Sequence, residues 1–126
     1  MTPETARRTL VAGRAGVGWL AVVLPGLLLR LIGVRGALRR ELRYVTRLFG
    51  IREVLMAYQL YQAERAGADP DELEEALRQG IMVDAGDALC AMALGRSASS
   101  FPAAAVGMIG AGTGIALGVA GRASSD

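Results

Sequence analysis

The chain contains no histidine and no lysine, a single cysteine, and few aromatics: two Phe, one Trp and three Tyr among 126 residues. Without imidazole there is no side chain that titrates unperturbed near neutral pH. One cysteine and no histidine exclude a Cys/His zinc site and an intramolecular disulfide. Charge is also scarce. Charged residues make up 21% against 52% hydrophobic, and the mean hydropathy is +0.36. A small soluble domain needs a polar coat over a large relative surface, so this balance argues for a membrane protein of one domain. A net charge of +2 is too small to suggest nucleic-acid binding. All 14 basic residues are arginine, which together with abundant Ala and Gly suggests a GC-rich bacterial genome.

What is present is apolar length. Phe101 to Ala120 reads FPAAAVGMIGAGTGIALGVA, with no charge between Arg96 and Arg122. About 20 apolar residues at 1.5 Å rise match a bilayer core of roughly 30 Å. Arg14 and Arg30 bracket a second run, interrupted by Pro25-Gly26, which predicts a kink. Arg7-Arg8 before this run also suit a signal peptide, but no small-x-small cleavage site follows Leu29, so a span is expected. Two weaker segments lie between. The expected fold is all-α, a bundle of four transmembrane helices spanning about 13–34, 44–66, 74–95 and 101–121. An acidic hairpin tip covers 64–75, and a basic amphipathic segment, 35–48, lies between the first two helices. In that segment Leu38, Leu42, Val45 and Phe49 recur on one helical stripe. Arg35, Arg39, Arg40 and Arg43 lie largely off it, as expected for contact with anionic lipid or for the solvated start of the second span.

At the tip, Gly67 suits a helix C′ position, Asp69 an N-cap, Pro70 the first helical position and Glu72 a capping box. The tip sets a register. Arg52 lies fifteen residues before Gly67 and Asp84 fifteen after Asp69, which predicts an Arg52–Asp84 ion pair, with Arg47 near Asp87 and Glu53 in the same network. Charges at this depth cost several kcal/mol each unless paired, so they should face the bundle interior. Tyr58, Gln59, Tyr61 and Gln62 make the outer half of the second span polar and outline a possible pocket. Gly107, Gly110, Gly114 and Gly118 form a packing stripe in the last span. GAGTG has neither the preceding strand nor the G-x-G-x-x-G spacing of a phosphate loop, and Cys90 reads as a small core residue.

The segments RLFGIRE (Arg47–Glu53) and VDAGDAL (Val83–Leu89) resemble a group of small four-helix bacterial membrane proteins, particularly actinobacterial ones, in which a Gly-x-Arg-acid element opens the second span and an Asp-rich element lies in the third. The resemblance implies a multi-pass protein of the bacterial cell membrane and carries no activity. Asp84-x-x-Asp87 lacks the further residues of phosphoalcohol transferases. No nucleophile–base or metal constellation is present, so no enzyme and no cofactor are expected. The favoured function is a structural or accessory membrane protein, self-associating or part of a larger complex. The alternative is an oligomeric proton- or cation-coupled carrier, or a small-ligand-binding protein, using Asp84, Asp87 and Glu53.

Overall fold

The computed structural model describes residues 1–65, 69–94 and 101–122, except the side chains of residues 94 and 101–106; Gly67 and Arg96 lie outside the described residues. Within that range the chain is all-α. Its elements are α1 (Pro3–Val23), α2 (Pro25–Leu31), α3 (Arg40–Ala63), α4 (Pro70–Leu94) and α5 (Phe101–Arg122).

Local chemistry sets the helix ends. Thr2 caps α1, its Oγ1 accepting from the Thr5 N–H at 3.2 Å, and Pro3 fills the first position, where a missing N–H costs nothing. Leu24 precedes a proline, which disfavours α backbone there, and Pro25 cannot continue the ladder. The axis therefore turns by 118° between α1 and α2. Gly33 and Gly36, with φ of 95° and 83°, carry the chain from α2 toward α3. At the tip the Asp69 carboxylate accepts from the Asp71 N–H at 2.9 Å and starts α4.

Contacts along the helices show an antiparallel order. Arg7 meets Glu64, Arg14 meets Glu53 and Arg47 meets the Val22 carbonyl, so α1 runs against α3. Gly107, Gly114 and Gly118 face Ala91, Asp84 and Ile81, so α4 runs against α5. The most extensive interfaces are α1–α3 and α4–α5; α1 also packs on α5, while α3 and α4 touch much less. The hairpin partners in sequence are thus joined mainly through α1 and α5, leaving a seam between them.

The interior is narrow and made of small or charged residues. The buried stripe of α1 is Ala6, Leu10, Arg14, Gly18 and Ala21; that of α3 is Thr46, Gly50, Glu53, Ala57, Leu60 and Ala63. At the tip end Leu10, Leu60 and Leu77 form a small apolar core with Val11, Leu73 and Leu117 against it. No large side chain is fully buried among the described residues, whereas Trp19, Leu31, Leu55, Tyr61, Leu89 and Ile109 are more than half exposed.

Three expectations change. The helix that carries the first apolar run begins at Pro3, because Thr2 and Pro3 supply a start signal ahead of that run, and the expected 13–34 segment is broken at Leu24 by a turn and not merely kinked. Residues 32–39 form no helix, and the basic segment from Arg40 onward is the continuous start of α3. Its apolar stripe is unburied at Leu42 and Val45. Cys90 lies exposed on α4 instead of in the core.

Candidate functional site

The buried stripes of α1, α3 and α4 bring Arg14, Glu53 and Asp84 together, and the partly exposed Arg52 and Asp87 complete a cluster of five charged side chains. Arg14 forks between two helices: Nη1 donates to Glu53 Oε2 at 2.9 Å, and Nη2 donates to Asp84 Oδ2 at 2.6 Å. These three side chains are only 6–8% exposed. Arg52 extends the cluster, donating to Asp87 Oδ2 at 2.7 Å and Oδ1 at 3.2 Å, and to Glu53 Oε1 at 3.2 Å. Its guanidinium also lies 5.0 Å from the centre of the Phe49 ring.

Arg52 therefore pairs with Asp87, one helical turn from the expected Asp84. Helical side chains lean toward their own N-terminus. In an antiparallel pair, Arg52 leans away from the tip and Asp87 leans toward it, so the two meet one turn further along. Asp84 is left to Arg14, which in the sequence alone marks the start of the apolar run that ends at Arg30. Arg47 does not join the cluster. It sits five residues before Arg52, about 140° around the helix, and its Nε donates to the Val22 carbonyl at 3.2 Å on an exposed face.

Glycine makes this packing possible. A Cβ on Gly50 would lie 2.6 Å from the Gly18 carbonyl oxygen, and one on Gly18 2.8 Å from that of Gly50. The α1 and α3 backbones touch there, one turn from Arg14 and Glu53. Neither residue belongs to a GxxxG pattern, so the contact becomes visible only when the two helices are paired. On α5, a Cβ at Gly114 would run into the Asp84 carboxylate, at Gly118 into Ile81 and at Gly107 against Ala91. Gly110 faces open space among the described residues, off the stripe.

The α3–α4 seam opens from this cluster toward the tip. A cavity of about 70 Å³ is bordered by Arg14, Met56, Gln59, Gln79, Gly80 and Val83. Beyond it lies an open groove of about 480 Å³, whose polar lining is Tyr58, Gln59, Gln62, Gln79 and the acids Asp71, Glu72 and Glu75. Tyr61 is exposed and does not line it. Hydrogen bonds from Gln79 and then Arg78 hold the Glu75 carboxyl below its ordinary range. The Gln62 Oε1 and Arg52 Nε atoms are buried without a hydrogen-bond partner among the described residues.

The remaining described charges collect at the two ends. Arg30, Arg35, Arg39, Arg40, Arg43 and Arg47 lie at the α2–α3 end with Glu41 as the acid among them. The tip end carries Glu4, Glu64, Asp69, Asp71, Glu72, Glu74 and Glu75, with Arg7, Arg8, Arg65, Arg78 and Arg122. There Arg7 is held by Glu64 at 2.6 Å and by the Gly121 carbonyl at 2.9 Å, and Arg122 pairs with Glu74.

No three His, Cys, Asp or Glu side chains converge to hold a metal ion among the described residues. Among the same residues no single helix is long and apolar enough to cross a membrane, and α1 with α2 qualifies only as a bent pair. Compared with known proteins, the chain matches no family model, no curated protein and no solved structure.

Proposed function

We propose that the chain is an integral membrane bundle of the bacterial cell membrane, with α1, α3, α4 and α5 as four spans and α2 lying along the surface, and that its role is structural or accessory. The observation that carries this reading is the inverted distribution of polarity. The interior holds an ion cluster and glycines, and the flanks expose Val17, Leu55, Leu89, Ile109 and Val119. In water such a surface would aggregate; in lipid it is the expected exterior, and intramembrane charges belong inside.

The charges that disqualify α3 and α4 as simple apolar spans, Arg52, Glu53, Asp84 and Asp87, are those that meet in the cluster. Arg47 to Glu64, and Arg78 to the end of α4, each cover about 24–26 Å at 1.5 Å per residue, near the hydrocarbon thickness. Exposed aromatics lie toward its edges, Tyr44 just outside and Trp19 just inside the basic end and Tyr61 just inside the tip end.

The test is extraction. After alkaline carbonate washing the protein is expected to stay with the membrane pellet and to need detergent for release. A monodisperse protein in detergent-free buffer would refute the reading. A second reading, an ion-coupled carrier, is favoured by one observation, the seam bordered by Gln59 and Gln79 that leads from the acidic tip to Arg14 beside Asp84. It requires proton or cation flux in liposomes that Asp84→Asn abolishes, and flux equal to that of empty vesicles would discard it.

A further inference from the structure

We propose that the α2–α3 corner is a docking surface for anionic phospholipid headgroups. Six arginines gather at this end, and two are already engaged by backbone: Arg30 Nη1 donates to the Val34 carbonyl at 3.1 Å and Arg47 Nε to that of Val22 at 3.2 Å. The other four, Arg35, Arg39, Arg40 and Arg43, are exposed and have no ion-pair or hydrogen-bond partner among the described residues. Glu41, the acid at this end, forms no ion pair there either.

The arrangement works against itself. Arg39, Arg40 and Arg43 occupy the first turn of a 24-residue helix, at the positive end of its dipole, where cations are unfavourable. Like charges crowded there, with Glu41 as the one acid of that turn and forming no ion pair among the described residues, repel one another; the tip end shows the contrast, with Arg7, Arg8, Arg78 and Arg122 all paired. Folding does not compensate this charge internally, which leaves it open to an external anion.

The neighbouring surface says which anion. Leu27 and Leu31 on α2, and Leu42 and Val45 on α3, are exposed beside the arginines, as is Tyr44. A free phosphate ion has nothing to place against leucine and valine. A phospholipid has both parts, a phosphate for the guanidiniums and acyl chains for the apolar side chains. The 118° turn at Pro25 brings α2 against the start of α3, where a Cβ on Gly26 would lie 3.4 Å from Leu38 and 4.0 Å from the Arg43 guanidinium. This inference rests on the bundle reading and adds the partner of its basic end.

The protein's one tryptophan, Trp19, is exposed and sits about 7.5 Å along α1 from the corner, from the rise per residue. The experiment uses purified protein in phosphatidylcholine nanodiscs containing a minor fraction of brominated phosphatidylglycerol or, separately, brominated phosphatidylcholine. Stronger quenching of Trp19 by the anionic lipid is expected. Each arginine beside an anionic surface is worth roughly fivefold in binding, so Arg39→Gln/Arg40→Gln/Arg43→Gln should lower the preference by about a hundredfold. These side chains have no partners in the fold and sit unfavourably at the helix start, so the control is that the variant unfolds at the same temperature or higher. Equal quenching by the two lipids, or a preference that survives the triple substitution, would overturn the proposal. Displacement of the lipid by inorganic phosphate would also overturn it, by assigning the corner to a free anion. Failure of carbonate extraction strikes the bundle reading, whereas equal quenching in an embedded protein strikes only the lipid preference.

Discussion

Replacing Arg14 with alanine tests the cluster most directly. The Arg14, Glu53 and Asp84 side chains are only 6–8% exposed, so solvent screens their interactions little. Removing the guanidinium strands Asp84 without a cation and leaves Glu53 with its contact to Arg52 alone. Breaking a buried pair in this way costs about 3–5 kcal/mol. Arg52→Ala should cost far less. Glu53 keeps Arg14, and Asp87, the one carboxylate that loses its cation, is 36% exposed against 8% for Asp84. Unfolding in mixed micelles titrated with sodium dodecyl sulfate, followed by Trp19 fluorescence, reads both losses. The variant Arg14→Leu/Glu53→Gln/Asp84→Asn should recover more than half of the loss, because the damage comes from uncompensated charge and not from missing volume. If Arg52→Ala proved as costly as Arg14→Ala, Arg14 would not be the centre of the cluster. If the triple variant recovered nothing, the cost would lie in packing.

The glycines separate by what a methyl group would meet. Gly50→Ala, facing the Gly18 carbonyl at 2.6 Å, should force α1 from α3 and lose roughly 1–3 kcal/mol as overpacking. Gly110→Ala, in open space, should be neutral or gain up to about 1 kcal/mol from helix propensity; equal effects in the same unfolding assay would refute the placement. Gly114→Ala should be destabilising and strongly non-additive with Asp84→Asn, since the methyl group collides with that carboxylate. A double-mutant cycle with no coupling would show that the two do not meet.

Helix existence was largely readable because it follows from local signals. Asp69 and Pro70 mark the start of α4, and the Pro25 break lies where the backbone loses a donor. The charge pairing was less readable. Counting residues from the tip fixes only the level of each Cα, and the lean of the side chains then moves Arg52 by a full turn to Asp87. Arg14 was obscured for a different reason. An arginine beside an apolar run reads as its boundary, and only the stripe Leu10, Arg14, Gly18 and Ala21 places it on the buried face. The Gly18–Gly50 contact needed both helices at once, because 32 residues separate two single glycines that share no local pattern. The basic corner is legible in composition, but the stripe of Leu38, Leu42, Val45 and Phe49 suits both an interfacial segment and the start of the second span; the chain turns at Gly33 and Gly36, and α3 begins at Arg40.

The forked pairing of Arg14 also has a consequence in time. Its acceptors lie 39 and 70 residues further along the chain. At a synthesis rate of about 5–20 residues per second, Glu53 follows Arg14 by roughly 2–8 s and Asp84 by roughly 4–14 s. During that interval α1 carries a cation that nothing in the nascent chain neutralises. If the bundle is embedded in lipid as proposed, a helix in this position should enter the bilayer as a companion of α3 and α4 and not ahead of them. Insertion of the N-terminal third would then report on the completion of the rest, and a chain halted before Asp84 would remain only half committed to the membrane.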